Sequence, residues 1–472
     1  MLIASGVGEL SVDMVSFFPQ STWKGRPGGL RADLVQMLAN LKPSFVRFPG
    51  GSIVGGDGIG NRYNWKDSIG DPAGRKQNAN MWGGTAQNTS YYQSYGLGFY
   101  EYFLLSEDIG AEPLPVVNAG MGDQFRQSDV APWEELDSYI QDALDLIEYA
   151  NGPVTSKWGA KRAESGHPEP FGLHYLAIGN EHWGQEYFVR FERFKDALKE
   201  KYPDIQLIFS AGPSPDGAIF NDARSWQRSQ PADIVDEHYY MNPDWFLDNT
   251  NRYDSYDRSG PKIFVGEYAA HNGNRDNSFG AALAEAAFMI GLERNSDVVA
   301  MASYAPLFGK EGFAQWSPDL IWFNNSSAYG TPSYYVQQLF GVNKASVVLP
   351  AEVKLRSGKS YEAGRSQVHN DDAERWQEPF YWLAGRDDLR GELILKAVNA
   401  ATYDVKAMVE VKGVSGLEGS KLTMSADLLA KNSFGQPLLV KPEQQRIEGL
   451  TNTFTLELPK QSVTVFRLKT VR

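Results

Sequence analysis

The order of hydrophobic periods along the chain limits its fold more than any other feature. Short β-prone runs recur at 10–18, 45–48, 114–118, 175–178, 206–210, 234–240, 263–268 and 298–304, each closed by polar, Gly or Pro residues. Between most of them lie stretches with apolar residues at three- and four-residue spacing, among them 30–41, 133–150, 186–202 and 279–295. Eight strands alternating with helices predict an α/β fold, a (β/α)8 TIM barrel. After about residue 345 the period changes: "GELILKAVNAATYDVKAMVEVKG" (391–413) and "TNTFTLELPKQSVTVFRLK" (451–469) alternate apolar and polar residues, with turn signals and no long helical pattern between them. That pattern predicts a C-terminal antiparallel β-sandwich of jelly-roll-like form. The expected division is a catalytic barrel over 1–342 and the sandwich over 343–472.

The chain has 472 residues, enough for both units. Its net charge of −13 argues against a nucleic-acid backbone or an anionic membrane as partner, since both demand a basic surface. A neutral ligand fits better, and 12 Trp with 23 Tyr supply the flat faces on which sugar rings stack. Cysteine is absent, which excludes disulfides, thiolate metal sites and Cys nucleophiles. No run reaches the roughly 20 apolar residues of a membrane helix. The compartment stays open between cytoplasmic and secreted or periplasmic with a leader removed.

"HYLAIGNEHWG" (174–184) puts a carboxylate, Glu181, at the C-terminal lip of a strand, where barrel enzymes hold their chemistry. "KIFVGEYAA" (262–270) repeats the frame of apolar run, Gly and Glu, and delivers Glu267. A lone Gly-x-Glu is commonly a capping or ion-pairing residue, but two on the fourth and seventh strands of one barrel can flank a glycosidic bond. Hydrolysis of that bond needs such a pair, one protonated acid for the leaving oxygen and one carboxylate for the anomeric carbon. The separation expected for a retaining enzyme is about 5–5.5 Å. Arg47, a charge inside an apolar strand, requires a partner, and Glu267 is the expected one. His238 and Tyr240 in "IVDEHYY" share a parity and so a face, which lets the phenol hold a nucleophilic carboxylate. Six His with no His-Glu-x-x-His pattern give a metal hydrolase little support, and no cofactor or metal is expected.

In that order, "VRFPGG", "IGNE", "DEHYY" and "GEYA", together with "NRYNWKDSIG" (61–70) and the terminal sandwich, resemble glycoside hydrolase family 51 over nearly the whole chain. The resemblance implies a retaining, exo-acting α-L-arabinofuranosidase, with Glu181 as general acid/base and Glu267 as nucleophile. It further implies that Asn180 holds the sugar 2-hydroxyl, Tyr240 orients Glu267, His238 and Arg47 support the pair electrostatically, and Ser52, Ile53 and Trp316 line the sugar site. The implied ligand is an arabinose-containing oligo- or polysaccharide, with homo-oligomerisation left open. Two departures stand out. The early acidic residue that grips the distal sugar hydroxyls in the family has only Glu9 or Asp13 as substitutes, and Ser52-Ile53 replace the Cys or Asn that many members carry after the glycines. The alternatives are an endo-acting β-glucanase or xylanase and a catalytically silent carbohydrate-binding protein. The long loop 49–95, with Trp65, Trp82, Tyr91, Tyr92 and Tyr95, is expected either to close a pocket or to line a cleft.

Overall fold

The computed structural model describes residues 5–11, 18–82, 92–354, 360–362 and 379–471. Seven consecutive parallel strands form one sheet in sequence order: β1 (Phe45–Phe48), β2 (Glu112–Val117), β3 (Tyr175–Ile178), β4 (Gln206–Ser210), β5 (Ile234–Met241), β6 (Lys262–Ala270) and β7 (Val299–Tyr304). Among the described residues each pairs with its neighbours in that order, the topology of a (β/α)8 barrel. Most of the remaining expected run, at 10–18, falls outside the described residues, 12–17 being among those left out.

Alternation within the strands divides the core. Phe45, Leu114, Val116, Ala177, Ile208, Ile234 and Phe264 cluster inside the curled sheet, with Phe45 edge-on to Phe264 at 5.4 Å. Their neighbours of opposite parity, such as Phe48, Val117, Ile178, Phe209 and Val265, pack outward beneath the helices. The expected helical stretches fold as α1 (Ala32–Asn40), α2 (Leu136–Asn151), α3 (Gly184–Lys201) and α4 (Phe279–Arg294). α4 is apolar on nearly every side because it is covered twice: Ala281, Ala284 and Phe288 face the barrel, while Phe279, Leu283, Ala286 and Ile290 face the C-terminal sheet.

That sheet contains β8 (Phe380–Asp387), β9 (Glu392–Asn399), β11 (Gly416–Ser425), β12 (Glu443–Thr451) and β14 (Ser462–Val471), antiparallel in the order β8-β9-β14-β11-β12. A two-stranded ribbon of β10 (Val405–Glu410) and β13 (Thr453–Leu458) covers its other face. Phe454, Leu456 and Leu458 of the ribbon meet Ala397, Leu417, Phe466 and Leu468 of the sheet, which is the sandwich core. Among the described residues no helix is long and apolar enough to cross a membrane.

Candidate active site

The mouth residues occupy the C-terminal ends of four strands. Arg47 continues the inward parity of Phe45 on β1, and Asp236, His238 and Tyr240 continue that of Ile234 on β5. β6 reaches the mouth by a different route. Phe264 and Glu267 both serve the interior although three residues apart, because the register with β5 shifts there: Glu237 pairs with Val265 and His238 with Glu267, leaving Gly266 opposite no residue. This bulge turns Glu267 inward. Beyond β3 the chain turns through Gly179 (φ 76°) and Glu181 (φ 52°), the latter a left-handed conformation rarely adopted outside glycine.

These strand ends converge. One oxygen of Glu181, one of Glu267 and a ring nitrogen of His238 lie within 4.8 Å of one another, all three residues buried. The two carboxyls thus face one another across the mouth with the imidazole beside both. Arg47 Nη1 donates to Glu267 Oε1 at 2.9 Å, the partner expected of a buried guanidinium. Tyr240 donates its phenol to Glu267 Oε2 at 2.6 Å. Arg47 Nη2 donates to Asn180 Oδ1 at 2.6 Å, which leaves the buried Asn180 Nδ2 without a protein partner. Gly51 explains the double glycine after β1, since a Cβ there would stand 2.5 Å from Glu267 Oε1.

The two carboxyls are driven in opposite directions. Burial raises Glu181 above the ordinary glutamate range, outweighing the hydrogen bond and charge of His238, and the anion of Glu267 adds to the rise. Burial also acts on Glu267, but the charges of His238 and Arg47 with the Tyr240 and Arg47 hydrogen bonds overcome it and hold that carboxylate below the ordinary range. The surroundings favour the proton on Glu181 and the anion on Glu267. The three clustered ligand atoms are close enough for a small cation, yet both nitrogens of His238 already face carboxylates, Glu181 at 2.9 Å and Asp236 at 3.2 Å. A ring protonated at both positions has no lone pair for a metal.

Two models of known families match the chain: the α-L-arabinofuranosidase 1 domain over 37–258 and the α-L-arabinofuranosidase C-terminal domain over 253–462. A solved arabinose-bound α-L-arabinofuranosidase of glycoside hydrolase family 51 superimposes with a TM-score of 0.81 at 30% identity, over 95% of this chain and 68% of that one. The chain belongs to glycoside hydrolase family 51. As a family 51 chain it is 48% identical over 357 residues to the extracellular exo-α-L-arabinofuranosidase of Streptomyces chartreusis, and 37% identical over 472 residues to α-L-arabinofuranosidase 1 of Arabidopsis thaliana. These alignments take in 72% and 98% of this chain, which spans 42% and 63% of the two relatives.

Other expected site residues of this family 51 chain divide into two groups. Ser52, Ile53 and Trp316 line the same cavity as Glu181 and Glu267, with Ser52 accepting from Gln124 Nε2 at 2.8 Å. Trp316 stands edge-on to Tyr240 at 5.2 Å, and the Arg275 guanidinium lies 4.4 Å from its ring centre. From the 49–95 loop, Trp82 lines the cavity, but Trp65 and Tyr95 are buried in the outer core, where Trp65 Nε1 donates to Asp142 O. They are structural because the loop folds back on α2 and its neighbours rather than standing over the mouth. Tyr92 is exposed, and Tyr91 lies outside the described residues. Glu9 is exposed in irregular chain and is not among the residues that line the cavity, and Asp13 also lies outside the described residues. Sequence reasoning missed Asp236, although it shares the parity of His238 and Tyr240, and missed Gln124, for which no local signal exists.

Proposed function

We propose that this chain acts as a retaining, exo-acting α-L-arabinofuranosidase that releases terminal α-L-arabinofuranosyl residues from arabinose-containing plant polysaccharides or oligosaccharides. The observation that carries the reading is the pair of facing glutamates, with one oxygen of each within 4.8 Å, whose surroundings favour the proton on one and the anion on the other. The names of the relatives, and the arabinose in the similar solved structure, supply the sugar. We assign catalysis to a barrel over 1–342 and a supporting role to a sandwich over 343–472.

In the first step Glu267 attacks the anomeric carbon while Glu181 gives its proton to the departing glycosidic oxygen, leaving arabinosyl esterified to Glu267. Arg47 and Tyr240 keep the nucleophile ionised and fix its direction. Asn180 Nδ2, already positioned by Arg47, is free to meet the 2-hydroxyl, a contact that tightens as positive charge develops on the ring. Esterification removes the anion of Glu267, so the repulsion that helped hold the proton on Glu181 disappears, and Glu181 takes a proton from water as the ester is hydrolysed. Trp82, Trp316 and Ser52 form the walls.

Hydrolysis of p-nitrophenyl α-L-arabinofuranoside followed by ¹H NMR tests the reading. The first sugar released should be the α-anomer, before mutarotation. A β-anomer as first product, or cleavage of internal bonds in β-glucan or xylan with no action on arabinofuranosides, overturns it.

A further inference from the structure

Asp236 is buried at the mouth, and no activity so far described uses it. Its Oδ2 lies 3.2 Å from His238 Nε2 and 3.7 Å from Arg47 Nη2, and its Oδ1 has no partner. The space it fills exists because residue 266 is glycine: a Cβ there would stand 2.0 Å from Asp236 Oδ1. The bulge that turns Glu267 inward therefore also makes room for this carboxylate. On the opposite edge of the ring, His238 Nδ1 is 2.9 Å from Glu181 Oε1 and 3.7 Å from Glu267 Oε2.

We propose that Asp236 is a positioning residue for proton transfer: by accepting from His238 Nε2–H it holds the ring as a donor at both nitrogens, confining the acidic proton of Glu181 to the oxygen that does not face the ring. The proposal rests on Glu181 being the acid/base of the reaction proposed above.

The alternatives fail on hydrogen-bond direction. A neutral ring with its proton on Nε2 presents a lone pair at Nδ1, and the proton of Glu181 would settle into that 2.9 Å contact instead of reaching the leaving oxygen. A neutral ring with its proton on Nδ1 turns a lone pair toward an ionised Asp236 at 3.2 Å. Only the imidazolium satisfies both sides. Burial alone would lower the affinity of the ring for its second proton, but Glu267 and Asp236 reverse this and raise it well above the ordinary histidine range. The charged and titratable groups facing the ring are Glu181 from the end of β3, Asp236 on β5 itself and Glu267 on β6, with Arg47 from β1 and the Tyr240 phenol behind them. With Glu181 protonated, the cations of Arg47 and His238 balance the anions of Asp236 and Glu267. In the covalent intermediate Glu181 is the anion and Glu267 the neutral ester, and the balance is unchanged. Asp236 supplies the constant negative charge that lets the proton of Glu181 come and go while the ring keeps both of its own.

The test uses the full chain. In the wild type, ¹⁵N NMR of His238 should show both ring nitrogens protonated through about pH 8, well above an ordinary histidine near 6.5. A wild-type ring that titrates near that ordinary value overturns the proposal. In Asp236→Asn the ring should titrate near the ordinary value, and kcat/KM should fall roughly 100-fold for an alkyl arabinofuranoside, whose leaving group needs a proton. For the p-nitrophenyl glycoside, whose leaving group does not, the fall should be under about 5-fold. Asp236→Ala, which leaves Gly266 and the bulge untouched, should give the same split and carries the test if the Asn variant does not fold. Equal losses on both substrates with an unchanged ring titration reduce Asp236 to a structural role. Glu181→Gln separates the two ideas: if it shows no dependence on leaving group, the acid/base assignment itself fails, whatever Asp236 does.

Discussion

On the outward face of β5, Glu237 accepts hydrogen bonds from Tyr253 at 3.1 Å, from Tyr256 at 3.1 and 3.2 Å and from Tyr239, with Arg252 at 3.9 Å. On the inward face, one residue away on either side, Asp236 and His238 join Arg47, Asn180, Glu181 and Glu267. Both faces bury carboxylates, and both use tyrosine to hold them. They differ in what is left over. Among the described residues the outward cluster has no buried side-chain polar atom without a partner, whereas the inward cluster leaves the buried Arg47 Nε, Asn180 Nδ2 and Asp236 Oδ1 unmatched. A fully satisfied buried network rigidifies the fold, while an incompletely satisfied one retains hydrogen-bonding capacity for a ligand. Strand parity sorts the two kinds of carboxylate.

The sharpest way to break this comparison is to exchange the losses. Glu267→Ala should lower kcat for p-nitrophenyl α-L-arabinofuranoside at least about 10⁴-fold, whereas Glu237→Gln should leave it within about 3-fold. Comparable losses would erase the distinction between the faces. In urea denaturation the effect should appear on the other side: Glu237→Gln should lose about 3 kcal/mol, because an amide replaces an anion on which three phenols converge. A denaturation midpoint that does not move would mean the outward cluster adds no stability.

The pH dependence sharpens the inward half. In the proposed reaction Glu181 must be protonated, and its affinity for the proton is raised, so the alkaline limb of kcat/KM should lie above the ordinary glutamate range. Glu267 must be ionised and its affinity is lowered, so the acid limb should lie below that range. In Glu267→Gln the Glu181 titration, followed by ¹³C NMR, should move to lower pH because an anion beside it has gone; no movement would mean that the two carboxyls are uncoupled. A pH effect of a different kind concerns Glu285 on α4, a buried carboxyl that accepts from Ala270 N–H at 2.9 Å and has no ion pair among the described residues. Burial raises it from 4.5 to about 8, so the folded chain keeps this proton where the unfolded chain has lost it. Its contribution to stability is full below the unfolded value and is lost as pH rises toward about 8, by about 1.4 kcal/mol per pH unit in that window. Glu285→Gln should flatten this slope in urea titrations; an unchanged slope would place the dependence elsewhere.

Much of the architecture was legible because it is written in periods. The strands at 45–48, 175–178 and 206–210 fold at the expected bounds, and the β-sandwich follows the change to a two-residue period. The ion pair of Arg47 with Glu267 was legible because a charge in an apolar strand must find an opposite one. The bulge at Gly266 was not: "FVGEYA" has the appearance of a plain strand, and only the register with β5 shows where parity switches. Asp236 went unseen because residue type alone does not separate it from Glu237, and the burial of Trp65 is decided by the path of a loop that no period describes.

The conformation of Glu181 carries a cost that bears on how such a chain changes over time. At φ 52° a side chain with a Cβ is strained by on the order of 1 kcal/mol, and this one also places a carboxyl in a dry setting. Glycine or asparagine would relieve much of both, so with Glu181 in the acid/base role proposed above, drift toward greater stability at this position runs against turnover. A lineage freed from the need to cut its substrate would find position 181 among the first places to gain stability.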